Sequence, residues 1–143
     1  MTKVLIIEAD FYPHIANLLR AGTKSFLEEA GVEYEILSVP GALEIPSALA
    51  FILQKDPAPY EAFVVLGCVI RGETSHYDIV CSESARGVYG LALKHSLALG
   101  NGILTVENEK QALDRADPAQ KNKGGNAAKA ALHMLSLKKK YTT

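Results

Sequence analysis

The sequence predicts a three-layer α/β/α sandwich, in which helices cover both faces of a parallel β-sheet. Short apolar runs rich in β-branched residues alternate along the chain with segments whose apolar residues recur at helical spacing. One run, Ala62 to Ile70, is continuously apolar, as expected of a strand that is covered on both faces. Strands that alternate with helices favour a parallel sheet joined by right-handed crossovers.

Four segments are predicted to be strands. The first, Lys3 to Glu8, is a short β-branched run, and Glu33 to Val39 is a second strand-like segment. Ala62 to Ile70 is the central strand, and Gly102 to Val106 is the fourth. We therefore expect a flavodoxin-like fold and, by analogy with it, the strand order 2-1-3-4.

Helices are predicted between the strands. In the first, at 12–31, Ile15, Leu18 and Leu19 recur at helical spacing, and Gly31 follows where a helix end needs a positive φ. The other helices are predicted at Leu43 to Gln54, at about Ser75 to His95, at about Lys110 to Ala116 and after Gly125.

Length and composition limit the class of protein. The 143 residues, 48% of them hydrophobic, suffice for one domain that spans residues 1–143. A net charge of -1, with 15 basic and 16 acidic residues interspersed, predicts no binding to nucleic acid or to a membrane surface. Two cysteines, Cys68 and Cys81, and the lack of a basic-then-apolar leader predict a cytoplasmic protein with buried thiols.

The segments that follow the strands carry the chemistry. Parallel strands deliver their C-terminal ends to one edge of the sheet, where ligands bind in such folds. The segments are "ADFYPH", "PGALEIP", "RGETSHYD" and "ENEK". Aromatic, glycine, carboxylate, arginine and histidine residues are therefore expected to converge on a small-molecule site.

The third of these segments is the richest. Gly72, Thr74 and Ser75 lie where a helix begins, and its free N–H groups can bind an anion such as phosphate. His76, in the first turn, can act as a general base. The alternative is that Thr74 or Ser75 only caps the helix and that His76 is a surface residue. On this segment alone the alternative is favoured.

Other candidates also have two readings. In the functional interpretation, Gly41 lets the backbone approach a ligand closely and Glu44 faces the same crevice. In the alternative, Gly41 only forms a turn and Glu44 is a solvated surface residue. Phe11 either stacks on a flat heterocycle or only packs against neighbouring side chains. Lys123, before Gly124 and Gly125, holds an anion or belongs to a flexible basic loop.

No metal site is predicted. Glu73, His76 and Cys81 do not share one helix face, and the sequence has no CxxC or HExxH pair. Neither cysteine has the neighbouring cations that mark a reactive thiolate.

Four motifs are similar to those of the lumazine synthase family. They are "VPGALEIP", "LGCVIRGETSHYDIVCSESARGV", "GILTVENEKQALDRA" and "NKGGNAAKAAL", and they stand in the order and spacing of that family over nearly the whole chain. The combination is highly specific, and it outweighs the capping interpretation of His76. The resemblance implies a transferase without cofactor or metal, which condenses a ribitylamino-pyrimidinedione with a four-carbon ketone phosphate in riboflavin biosynthesis.

The resemblance also implies residue roles. Phe11 would stack on the pyrimidinedione and Glu44 would hold ribityl hydroxyls, while His76 would transfer protons. The ring and ribityl pocket would further include Gly41, Ala42, Leu43, Cys68, Val69 and Ile70. The phosphate would meet the helix entry at Gly72, Glu73 and Thr74, together with Arg115 and, nearby, Lys123.

The family's sites form between subunits of a pentamer, so a homo-oligomer is expected, with Asn101 where a neighbouring subunit contributes. The chain departs from the family at Asp10, where many members have arginine, at Leu43, where phenylalanine is usual, and at Asn101, where an aromatic is common. Because the first strand starts near residue 3, we expect no N-terminal segment extending a neighbour's sheet. The alternative function is a flavin-binding relative without turnover.

Overall fold

The computed structural model describes residues 2–142. Four strands and five α-helices alternate along this part of the chain, with a 3₁₀ turn at Ala42–Glu44. The strands are β1 (Lys3–Ala9), β2 (Glu33–Val39), β3 (Ala62–Ile70) and β4 (Ala98–Val106). The α-helices are α1 (Pro13–Glu29), α2 (Ile45–Ile52), α3 (His76–His95), α4 (Glu109–Ala116) and α5 (Lys123–Thr142).

The four strands form one parallel sheet in the order β2-β1-β3-β4. The predicted flavodoxin-like α/β/α sandwich and its strand order are therefore confirmed. Because every strand runs in the same direction, the segments after all four strands emerge at one edge, here called the carboxyl edge.

Alternate side chains of each strand enter two separate cores. On β1, Val4 and Ile6 point to the face covered by α1, α4 and α5. Leu5 and Ile7 point to the opposite face, which is covered by α2 and α3. The central strand β3 is buried from Ala62 to Val69, which explains its continuously apolar sequence.

The predicted start of the fourth strand is wrong. β4 begins at Ala98, four residues before Gly102. Gly100 and Gly102 hid this part of the strand, because glycine is depleted in strands. Here the glycines permit close packing: a Cβ at Gly100 would lie 1.8 Å from the carbonyl oxygen of Ala127 in α5.

Two helix starts also differ from the prediction. The segment from Leu43 begins as a 3₁₀ turn, and α2 starts only at Ile45, with Pro46 in its first turn, where a missing N–H costs nothing. The last helix begins at Lys123 rather than after Gly125. Position 124, inside this helix, must be glycine because a Cβ there would lie 2.1 Å from the carbonyl oxygen of Leu19 in α1.

Gly31 has a φ of 71°, as predicted for the residue after the first helix. Among residues 2–142, the structure contains no helix with the length and apolarity needed to span a membrane.

Candidate functional site

A pocket of about 380 Å³ opens at the carboxyl edge. It lies between the segments that follow β1 and β2, the end of β3, and the loop and first turns of α3. Its walls are formed by Phe11, Tyr12, Pro40, Gly41, Ala42, Leu43, Glu44, Cys68, Val69, Ile70, Gly72, Thr74, His76, Tyr77 and Val80. Its volume lies within the range that accommodates a small organic ligand.

Most of the residues singled out in the sequence meet around this pocket. They come from three segments that are separate in the chain, and each segment leaves the sheet at the same edge. They are Phe11, Gly41, Ala42, Leu43, Glu44, Cys68, Val69, Ile70, Gly72, Thr74 and His76.

Four of the named residues do not line this pocket. Glu73 lies in the loop before α3, and Asn101 lies exposed on the edge strand β4, where its Oδ1 accepts a hydrogen bond of 2.9 Å from the Ile103 N–H. Arg115 donates to the Gln111 carbonyl oxygen at 3.1 Å in the last turn of α4. Lys123 is exposed at the start of α5.

The floor of the pocket is apolar and uncharged. Ala42 and Val69 are buried, and so is the Cys68 thiol. Burial raises the pKa of Cys68 to about 12, so this thiol is protonated at neutral pH and is no nucleophile. A neutral, flat ring can lie against such a floor without the large cost of taking a charge out of water.

Aromatic rings stand at the mouth of the pocket. Phe11 is 67% exposed and meets Tyr12 edge to face, with ring centroids 5.0 Å apart. Burial, followed by the neighbouring Cys68, raises the pKa of the Tyr12 phenol, which stays neutral. Tyr77 contributes a third ring. Sequence reasoning missed Tyr12 and Tyr77, although both stand in the quoted segments beside the residues it chose.

Glu44 lies directly over Gly41. A Cβ at Gly41 would be 3.0 Å from the Glu44 Oε1 atom, so glycine leaves room for this carboxylate. The backbone of Gly41 is extended, with a φ of -149°, and therefore imposes no special dihedral requirement. The glycine leaves space for the Glu44 carboxylate at the mouth of the pocket.

The entry of α3 is open. The Ser75 side chain makes no capping hydrogen bond, and the Thr74 Oγ1 accepts only a long one, 3.3 Å, from the His76 N–H. A 20-residue helix whose first N–H groups are weakly capped attracts an anion at that end. His76, the first residue of α3, is exposed beside this entry.

Arg71 anchors the loop that leads to this helix. Its Nε donates a 2.6 Å hydrogen bond to Glu107 Oε2, which raises the pKa of the guanidinium further. Its Nη2 lies 3.6 Å from Asp78 Oδ1, and its Cζ lies 4.2 Å from the centroid of the Tyr77 ring. The sequence quoted this arginine without assigning it a role.

A partly buried ion pair supports the neighbouring strand ends. Glu8 is only 2% exposed, and it accepts hydrogen bonds of 2.6 and 2.7 Å from Arg20 and one of 3.0 Å from the Ser38 hydroxyl. This pair ties β1, α1 and β2 together just before the pocket segments begin. A glutamate that closes a strand resembles a surface residue, so the sequence carried no signal for it.

Residues 2–142 contain no group of three or more histidine, cysteine, aspartate or glutamate side chains placed to hold a metal ion.

The fold and the pocket define a class, the parallel α/β proteins that bind a small organic molecule at the carboxyl edge of the sheet. Within that class, residues 1–139 match the family model for 6,7-dimethyl-8-ribityllumazine synthase. The chain belongs to this family. The resemblance drawn from its motifs is thereby confirmed.

Curated relatives agree with the family model. A 6,7-dimethyl-8-ribityllumazine synthase of Zymomonas mobilis subsp. mobilis is 61% identical over 142 residues, which cover 99% of this chain and 100% of the relative. One of Novosphingobium aromaticivorans is 56% identical with the same coverage. One of Sphingopyxis alaskensis is 55% identical and covers 99% of this chain and 98% of its own length.

Proposed function

We propose that the pocket at the carboxyl edge is the active site in which this chain carries out the reaction of its family. The chain is a transferase of riboflavin biosynthesis: it condenses 5-amino-6-(D-ribitylamino)uracil with 3,4-dihydroxy-2-butanone 4-phosphate to give 6,7-dimethyl-8-ribityllumazine, phosphate and water. The single observation that carries the proposal is the meeting of Phe11, Glu44 and His76 around one pocket of about 380 Å³.

The apolar floor and the exposed ring bind the pyrimidinedione. Phe11 stacks on it, and its 67% exposure supports this role because much of its surface is accessible to a second ring. The floor consists of Ala42, Leu43, Cys68, Val69 and Ile70. The neutral Cys68 thiol suits an uncharged heterocycle.

Glu44 binds the ribityl chain. Its carboxylate accepts hydrogen bonds from hydroxyl groups, and these charge-assisted bonds are stronger than neutral ones. Gly41 supports the assignment, because it leaves the space into which the carboxylate projects.

The entry of α3 binds the phosphate of the second substrate. The N–H groups that follow Gly72, Glu73 and Thr74 are weakly capped. A phosphate at the start of α3 would accept hydrogen bonds from them. A phosphate here lies beside His76, where elimination of phosphate requires proton transfer.

A neighbouring copy of the chain completes the site with Asn101, Arg115 and Lys123. In support, these three residues lie outside the pocket of their own chain. Asn101 is also exposed on the edge strand β4. The planar fork of Arg115 suits bidentate phosphate contacts. The assembly is a homo-oligomer based on a pentamer.

Positioning and proton transfer account for the chemistry. The substrate's own amine attacks the ketone and forms an imine with loss of water, so no protein Schiff base is required. His76 takes and returns protons during imine formation, elimination of phosphate and tautomerisation. The ribityl-bearing nitrogen then closes the second ring with loss of a second water. Arg115, Lys123 and the entry of α3 stabilise the charge of the departing phosphate.

The remaining elements of the proposal concern the chain as a whole. Residues 1–143 form a single domain that acts in the cytoplasm without a cofactor or a metal ion. The scattered, balanced charges support small molecules and copies of the chain as its partners.

The proposal is tested by a steady-state assay of lumazine formation with His76→Ala. Turnover should fall about 100-fold, the lower end of general acid–base contributions, while the affinity for the pyrimidinedione stays unchanged. His133→Ala is the matched control, since His133 is likewise exposed on a helix but lies midway along α5. Equal turnover in both variants, or riboflavin binding without turnover in the wild type, would overturn the assignment.

The shared site is tested by mixing subunits. His76→Ala and Arg115→Gln proteins are inactive or slow alone, but oligomers reassembled from both should regain activity. In such oligomers some sites receive His76 from one chain and Arg115 from its neighbour. If mixing restores nothing, both residues act within the same chain and the proposal of a shared site fails.

A further inference from the structure

The loop between β3 and α3, residues 71–75, carries the open entry of α3 but has little internal support. Arg71 N–H donates to the Val106 carbonyl oxygen at 3.0 Å, which prolongs the pairing of β3 with β4 by one residue. Beyond that point the side chain of Ser75 makes no capping bond, and residues 71–76 are exposed. Contacts with other parts of the chain therefore help to hold the start of the helix in place.

The Arg71 guanidinium supplies such contacts. It bonds to Glu107, the residue that directly follows β4, at 2.6 Å. In the first turn of α3 it lies 3.6 Å from the Asp78 carboxylate and stacks 4.2 Å above the Tyr77 ring. One side chain thus ties the end of β4 to two successive residues of the helix.

These two residues immediately follow His76. Contacts that fix Tyr77 and Asp78 also fix the backbone of the first helical turn. The orientation of the His76 side chain, which projects from that turn, is fixed with it. We propose that Arg71 is a positioning residue that fixes His76 relative to the pocket. This inference rests on the proposed function of His76.

The chemistry of the contact requires arginine. The planar guanidinium can stack on a ring while its edge donates to a carboxylate, which a lysine ammonium cannot do at the same time. The ion pair is also exposed, with 42% of the Arg71 side chain and 57% of the Glu107 side chain accessible. Exposed ion pairs contribute little to global stability, so losing this one should affect kinetics rather than folding.

The first experiment compares Arg71→Gln with Arg86→Gln in the full assembly. Arg86 is also in an exposed arginine–glutamate pair, with two hydrogen bonds of 2.8 and 2.9 Å to Glu83, but it lies further along α3 and away from the pocket. We expect Arg71→Gln to lower kcat at least about tenfold, because small displacements of a catalytic group are costly. Melting temperatures should match in both variants. Equal kcat values, or a loss of kcat explained by unfolding, would overturn the proposal.

Glu107→Gln is the second variant, because it weakens the anchor and leaves Arg71 in place. It should lower kcat in the same direction as Arg71→Gln, and the double variant should be no slower than Arg71→Gln alone. Independent, multiplying effects would contradict a shared anchor.

A further cycle distinguishes positioning from direct contact with substrate. If Arg71 acts through His76, then adding Arg71→Gln to His76→Ala should change kcat much less than it does in the wild type. A full additional loss would show that Arg71 acts independently. If His76→Ala alone leaves turnover intact, the proposed function itself has failed, whereas an active, His76-dependent enzyme insensitive to Arg71→Gln refutes only this inference.

Discussion

Two regions of this molecule are held together by opposite means. On one face, here called the close-packed face, α5 lies against α1 and β4 so tightly that Gly124 and Gly100 leave no room for a side chain. At the entry of α3, exposed polar groups such as Arg71, Thr74 and His76 form the contacts. The first region is held by close contact between backbone segments, and the second by polar contacts that are open to water.

The physical reason is the difference in what surrounds each group. On the close-packed face a substitution meets backbone atoms, which cannot move without shifting a whole helix. At the carboxyl edge a lost contact is largely replaced by water, so the cost to stability is small. The same freedom lets that edge be adapted to a substrate. Three predictions test this contrast.

The largest effect is expected for Gly100→Ala. The added Cβ would lie 1.8 Å from the Ala127 carbonyl oxygen and would force α5 away from β4. The free energy of unfolding, measured by urea denaturation, should fall by more than about 3 kcal/mol.

Gly90→Ala is the matched control, because a Cβ at Gly90 on α3 would meet nothing within 4 Å. It should raise the free energy of unfolding by about 0.5–1 kcal/mol, since alanine is the better helix former. Equal stabilities of the two variants would contradict the contrast between the close-packed face and α3.

A smaller effect, on binding alone, is expected for Phe11→Ala. The affinity for the pyrimidinedione, measured by calorimetry, should fall about tenfold, which corresponds to about 1.4 kcal/mol of stacking and contact. The free energy of unfolding should change by less than about 0.5 kcal/mol, because the ring is 67% exposed.

Phe51→Ala provides the comparison for Phe11→Ala. Phe51 is similarly exposed, at 74%, but it lies on α2 in a separate groove beside Tyr60. It should leave the affinity unchanged. A similar loss of affinity in both variants would show that Phe11 has no particular role in the site.

The smallest effect near neutral pH is expected for the Cys68 thiol, which lies in the core and also forms part of the floor of the pocket. Burial raises its pKa from about 9 to about 12 in the folded protein. Above about pH 9 the unfolded chain therefore releases a proton that the folded chain retains. The contribution of Cys68 to stability is complete below that pH and is lost as the pH rises towards 12.

Denaturation at a series of pH values checks this dependence. The free energy of unfolding of the wild type should fall more steeply between pH 8 and 10 than that of Cys68→Ala. Cys81→Ala should retain most of the slope, because Cys81 is less buried. Parallel slopes for the wild type and Cys68→Ala would contradict the role of burial.

The sequence predicted two strands at their observed bounds, the partly exposed β2 and the buried β3. β3 was predicted at its observed bounds because both of its faces are covered, so every position must be apolar or small. β4 was predicted too short because Gly100 is required by its contact with Ala127 of α5, which is 27 residues further along the chain. Such a contact leaves no local pattern.

Some residues at and near the candidate site could be predicted from the sequence, and others could not. The topology alone predicts that segments after parallel strands converge, and Phe11, Glu44 and His76 do line one pocket. Arg71 was quoted without a role because its partner, Glu107, follows a different strand. Glu8 was missed because its burial depends on Arg20 in the next helix.

By itself, the sequence determined the fold class, the strand order by analogy, the family and the edge of the sheet at which the candidate site lies. These follow from periodicity and from motifs, which are local properties of the chain. Only the tertiary structure decided which groups are buried, which glycines face backbone and which arginine holds the entry of α3. Those properties depend on contacts between distant segments, and such contacts exist only once the chain has folded.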